Sequence, residues 1–119
     1  MSVSKIFTFE AAHQLPNHKG KCARLHGHSY RFEVTVSGPI QQEGGSSEGM
    51  VIDFADLSNI VEREILQPWD HQFLNDLVPY VTTAENLAVD IFNKLKRSGI
   101  PIKRVCLWET AQASATVEE

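Results

Sequence analysis

His26-Gly27-His28-Ser29-Tyr30-Arg31-Phe32-Glu33-Val34-Thr35-Val36-Ser37 alternates from end to end. Successive side chains of a strand point to opposite faces. His26, His28, Tyr30, Phe32, Val34 and Val36 therefore share one face, and Ser29, Arg31, Glu33, Thr35 and Ser37 the other. An apolar face backed by a polar one predicts a half-buried strand with a wet side, the usual pattern of an antiparallel sheet. Upstream, Lys5 to His13 alternates in the same way, with Phe7, Phe9, Ala11 and His13 opposite Ile6, Thr8, Glu10 and Ala12. If the two segments pair antiparallel, the end of the first lies beside the start of the second across the Asn17 to Leu25 loop.

Working outward, Gly38 to Gly49 is rich in Gly, Ser and Gln with no apolar period and reads as a surface connection. Met50 to Phe54 reads as a short third strand. Asp53 or Asp56 caps a helix carrying Leu57, Ile60, Val61 and Ile65, which Pro68 is expected to stop. Trp69 to Tyr80 reads as a loop. Thr82 and Glu85 have capping-box spacing ahead of an apolar stripe, Leu87, Ala88, Ile91, Phe92 and Leu95, that Gly99 terminates. Val105, Leu107 and Glu109 alternate with Arg104, Cys106 and Trp108 in a fourth strand, and Ala113 to Val117 can pair as a short last one. Strands, two helices and strands again predict an α+β domain: an antiparallel four-stranded sheet with two helices packed on one face.

The chain has 119 residues, the size of one domain, so residues 1–119 are taken as a single unit. A net charge of -4 argues against a general nucleic-acid binder, which needs a basic face for phosphates. Met1 to His13 lacks the apolar run of a signal peptide and no stretch is long enough to span a bilayer, so a soluble, cytoplasmic protein with no membrane partner is expected. Cys22 and Cys106 are too few for a disulfide framework and are expected as free thiols.

His26 and His28 project from one strand face and can converge on one ion; His13 joins them if the hairpin forms. Three imidazoles suit Zn²⁺ and leave a fourth position for water or substrate, the mark of a catalytic site. The competing reading is a set of polar residues at the end of a sheet. Cys22, four residues before His26 and flanked by Lys21 and Arg24, has cations beside it that favour the thiolate, and can act as base or nucleophile; an inert buried thiol or a further metal ligand is the alternative. Asp70 and His71 are either a carboxylate–imidazole pair prepared for proton transfer or a solvated loop pair. Glu109 sits on the face of Val105 and Leu107, so it either ends the strand in water or is a buried acceptor for a ligand bearing N–H donors. His18 reads as a solvated loop residue and Cys106 as structural.

Taken together, Phe9-Glu10-Ala11-Ala12-His13, Cys22-Ala23-Arg24-Leu25-His26-Gly27-His28-Ser29-Tyr30, Val51-Ile52-Asp53-Phe54, Trp69-Asp70-His71-Gln72-Phe73-Leu74-Asn75, Thr83-Ala84-Glu85-Asn86-Leu87-Ala88 and Trp108-Glu109-Thr110 resemble the 6-pyruvoyltetrahydropterin synthase superfamily over almost the whole chain. The resemblance implies the tunnelling fold, with zinc held by His13, His26 and His28, Cys22 as catalytic thiol, Asp70 and His71 as a relay pair, and Glu109 as anchor of the pterin ring. It also implies trimers stacked as a homohexamer. The Cys-x-x-x-His-Gly-His spacing from Cys22 to His28 resembles the bacterial 6-carboxytetrahydropterin branch, which feeds deazapurine (queuosine-type) biosynthesis. That branch turns 7,8-dihydroneopterin triphosphate into 6-carboxytetrahydropterin, acetaldehyde and triphosphate; the pyruvoyl branch stops before carbon–carbon cleavage. Lys19, Lys21 and Arg24 are either triphosphate contacts or a solvated basic loop.

Overall fold

In a computed structural model, which describes residues 1–119, the two alternating segments form one long hairpin. Strand β1 (Ser2–His13) pairs antiparallel with β2 (His26–Ser37) in unbroken register from Ser2 opposite Ser37 to His13 opposite His26. The first strand starts three residues earlier than its apolar period, because Ser2, Val3 and Ser4 still find partners on β2 although little of them is buried. On the far side of β2 lies β4 (Ile102–Trp108), followed at the edge by β5 (Ser114–Glu118), both antiparallel.

Four of the strands follow the expected antiparallel pattern; a fifth does not. The two-residue β3 (Gln72–Phe73) pairs parallel with Ala11 and Ala12 of β1, giving a mixed sheet of order β3-β1-β2-β4-β5. It falls within the segment expected to be loop. Two residues are too short to carry an alternation, so no periodic signal marks it. Met50 to Phe54, expected as a strand, forms none: Val51 and Ile52 are partly buried against the core without joining the sheet, and Phe54 already opens a helix. A short apolar run reads the same whether it pairs or merely packs.

Helix α1 (Phe54–Val61) is capped by Asp53, whose carboxylate accepts the Ala55 amide at 2.8 Å. Pro68 does not end it. The rod widens into a π turn (Glu62–Leu66), in which the Gln67 amide bonds to the Glu62 carbonyl, and then continues as a last turn, α2 (Gln67–Trp69). A proline is tolerated at the start of a helical turn, where its missing donor is not called upon, and the π turn creates such a start in mid-rod. Helix α3 (Ala84–Arg97) is capped by Thr83, which accepts the Asn86 amide, rather than by Thr82. Gly99, at φ 91°, supplies the left-handed residue that closes it.

All helices lie on one face of the sheet. Phe7, Phe9, Tyr30, Phe32, Val34 and Leu107 pack against Leu57, Val61, Ile65, Leu87, Ile91 and Leu95, all nearly or wholly removed from solvent. Each such side chain contributes about 1.5–3 kcal/mol by leaving water. Trp69 closes the end of this core against Phe9 at 5.8 Å between ring centroids, with the Lys94 ammonium 4.7 Å from its ring. The opposite face is polar, with Arg104 bridging Glu33 at 3.1 Å and Glu118 at 3.2 Å. Cys106 is buried on that face as a free thiol. No helix is long and apolar enough to cross a membrane.

Candidate active site

The register that places His13 opposite His26 settles whether the three histidines meet. They do. His13 Nε2 lies 3.0 Å from His26 Nε2 and 3.1 Å from Glu109 Oε1, and His28 Nε2 lies 3.0 Å from the same oxygen. One ligand atom from each of the four residues falls within 4.8 Å of every other. Glu109 arrives because it follows β4 on the same face as Leu107, next to Tyr30 across the sheet. It does not end in water, since only 24% of its side chain is exposed.

Main-chain carbonyls fix two of the rings. His13 Nδ1 is 2.8 Å from the Thr82 carbonyl and His26 Nδ1 is 2.7 Å from the Arg24 carbonyl. A carbonyl can only accept, so each Nδ1 carries the hydrogen and the Nε2 lone pairs are left to point inward. His28 Nε2 is buried with no hydrogen-bond partner, the Glu109 oxygen being near but not aligned for one. Three inward nitrogens and a carboxylate cannot satisfy one another without a cation among them. A proton on His13 Nε2 is one solution. The hydrogen bond it gives Glu109, followed by the charges of the histidines, holds that carboxyl below the usual carboxylate range against the opposing effect of burial. Burial keeps the His28 imidazole neutral to lower pH than a free histidine, despite the Glu109 carboxylate beside it. A divalent ion would take the place of the proton, and the donor set, with the Thr82 and Arg24 carbonyls orienting two of its rings, fits a divalent metal ion.

The other expected residues stand around this cluster. Asp70 Oδ2 is 3.0 Å from His71 Nδ1, so the adjacent pair does form. Neighbouring residues can pair here because His71 adopts a left-handed backbone, φ 61°, and its amide bonds to the Glu10 carbonyl. Asp70 also accepts the Glu10 amide at 2.9 Å, and this bond, ahead of His71, draws its carboxyl below the usual range. The His71 side chain is 76% exposed, yet it lines the same groove of about 530 Å³ as His28, together with Glu10, Ser29 and Phe73. Cys22 occupies a short 3₁₀ turn, Lys21–Ala23, half-buried, its sulfur outside the metal-type cluster and free of any disulfide. Glu109 also lines a second pocket, about 360 Å³, between the start of α3 and β5, with Glu85 and Ala113 on its walls.

Two contributors escaped the sequence reading. Thr82, taken there for a helix cap, is wholly buried and gives its carbonyl to His13. The Arg24 carbonyl, which orients His26, leaves no side-chain signature.

The chain is similar to known proteins over nearly its whole length. A 6-carboxy-5,6,7,8-tetrahydropterin synthase of Haemophilus influenzae is 39% identical over 139 residues, covering 98% of each chain. One from Synechocystis is 43% identical over 115 residues, 95% of this chain and 89% of the relative. Among solved structures, the 6-pyruvoyl tetrahydropterin synthase of Caenorhabditis elegans superposes over the whole chain and 95% of its own, with a TM-score of 0.85 and 28% identity. The family model described as 6-pyruvoyl tetrahydropterin synthase matches residues 2–119, which include every histidine and acid of the cluster, and the chain belongs to that family.

Proposed function

We propose that this protein is a zinc-dependent 6-carboxy-5,6,7,8-tetrahydropterin synthase, converting 7,8-dihydroneopterin triphosphate to 6-carboxytetrahydropterin, acetaldehyde and triphosphate. The observation that carries the reading is the convergence of the His13, His26 and His28 Nε2 atoms beside a groove that His71 also lines. Near-complete coverage by a 6-carboxy relative and the Cys22-to-His28 spacing favour the carboxy over the pyruvoyl product.

His13, His26 and His28 hold the zinc, which when bound supplies Lewis acidity toward the oxygens of the substrate side chain. His71 exchanges protons with that side chain. Asp70 takes the hydrogen on His71 Nδ1, fixing the tautomer and supporting the imidazolium as it forms. Cys22 supplies its thiol from the opposite side of the substrate. Glu109 receives the ring N–H and amino groups of the pterin, for which the pocket between α3 and β5 offers space, and gives up its contacts with His13 and His28 in doing so.

The assembly we propose is a hexamer of two stacked trimers. The outer side of β1 from Ser2 to Glu10 and the outer edge of β5 both lack a partner strand. Such edges invite pairing, and a contact between unlike edges closes into a ring when the rotation permits. A neighbouring chain would then cover the exposed His71.

The test is to incubate zinc-loaded protein with 7,8-dihydroneopterin triphosphate and identify the products by mass, with Cys22→Ala alongside. 6-Carboxytetrahydropterin and acetaldehyde, absent from the variant, are expected; pyruvoyltetrahydropterin assigns the sister activity, and untouched substrate refutes the synthase reading.

A further inference from the structure

We infer that Asn75 and Thr82 are positioning residues for the metal centre, acting together through His13. The inference rests on the metal reading above and concerns two residues to which the sequence motifs give no part in the metal centre.

Strand β3 supports β1 only at Ala11 and Ala12, so the main chain at Gln14, next to His13, has no strand neighbour on that side. The Asn75 amide takes that neighbour's place. It accepts the Gln14 amide at 3.0 Å and donates to the Gln14 carbonyl at 2.8 Å, which fixes which end of the amide is oxygen. Thr82 completes the arrangement. Its hydroxyl is 3.3 Å from Asn75 Oδ1 and 3.3 Å from His13 Nδ1, and its carbonyl accepts His13 Nδ1–H at 2.8 Å. Since Asn75 Oδ1 can only accept, the hydroxyl donates to it, and the hydroxyl oxygen is then free to share the His13 hydrogen. Every donor has an acceptor.

One amide thus holds the strand end that carries His13 and the threonine that sets the ring's tautomer. It also lies four residues beyond His71, in the 3₁₀ turn Leu74–Asp76 that follows β3, so the segment bearing the relay pair is tied to the metal ligand through it. The His13 end of the arrangement is shielded, since Thr82 and His13 are both wholly buried. Partners that orient a metal ligand are typically worth about 10–100-fold in affinity.

The experiment titrates the metal-free protein with cobalt(II), reading affinity by chelator competition and ligand geometry from the visible absorption bands. Thr82→Val and Asn75→Leu should each bind cobalt about 10–100-fold more weakly with altered bands, while Thr82→Ser, which keeps the hydroxyl, should restore both. Melting temperatures of the metal-free variants separate this from simple unfolding. The inference is overturned if the Val and Leu variants bind as the wild type does, if Ser loses as much as Val, or if the losses follow the fraction unfolded. A wild-type protein that binds no cobalt overturns the metal reading as well, so the two failures are distinguishable.

Discussion

His13 and His71 approach the same region of the sheet from opposite kinds of structure. His13 ends a strand paired along its whole length, is wholly buried, and has its ring fixed by the Thr82 carbonyl. His71 sits in a left-handed turn with most of its ring in solvent, held by one carboxylate that is itself partly exposed. On the proposed function, the contrast separates two tasks. A metal ligand must be oriented before the ion arrives, and rigid elements do this well. A proton-transfer group must meet a substrate that comes and goes, and a loop on a rigid scaffold is where such groups are usually found. Within one chain the three imidazoles are already gathered, while His71 stands open.

The largest expected effect breaks the first half. His26→Ala removes one of three inward imidazoles and should abolish zinc retention through gel filtration together with product formation. The far-ultraviolet circular dichroism should stay near that of the wild type, because His26 lies at the end of the hairpin and the core aromatics lie beyond it. Loss of the fold on metal removal would instead mean a structural zinc site.

Breaking the second half should leave the first intact. His71→Ala and Cys22→Ala are expected to lower kcat by roughly 10²–10⁴ with one zinc still bound per chain, measured by elemental analysis beside steady-state rates. A variant that loses both metal and rate would join the two halves into one.

The smallest effect sharpens the comparison through pH. Asp70 has its carboxyl drawn below the usual range, chiefly by the Glu10 amide and then by His71. A folded-state value below the unfolded one contributes stability that is present above the unfolded value, near 3.9, and is lost as the pH falls through the folded value. Asp70→Asn should therefore lower the melting temperature slightly near neutrality and leave it unchanged below the folded value, which flattens the acid limb. An unchanged acid limb would mean that the Glu10 bond contributes nothing to holding the loop.

What the sequence made legible follows from period. The alternation of Phe7, Phe9, Ala11 and His13, and of His26 through Val36, carried the hairpin, its buried face and the meeting of the histidines, since all three depend only on which residues share a face. The stripe from Leu87 to Leu95 carried the second helix for the same reason. Features without a period did not announce themselves. Met50 to Phe54 has a strand's composition but only Val51 and Ile52 pack, without pairing, β3 is two residues long, and Pro68 is accommodated by a π turn that no local residue announces. Thr82 and Thr83 are interchangeable as caps by sequence; burial of the first against His13 decides between them. Glu109 was placed on the right face, yet its approach to His13 and His28 is a property of three strands together.

The most direct test of the central claim, that three histidines from one hairpin hold a catalytic zinc, compares one protein sample stripped of metal by chelation and the same sample reloaded with one equivalent of zinc. Both are assayed for 6-carboxytetrahydropterin by mass. The account predicts that the stripped protein stays folded and makes no product and that a single equivalent per chain restores it. Undiminished product from the stripped protein would contradict it.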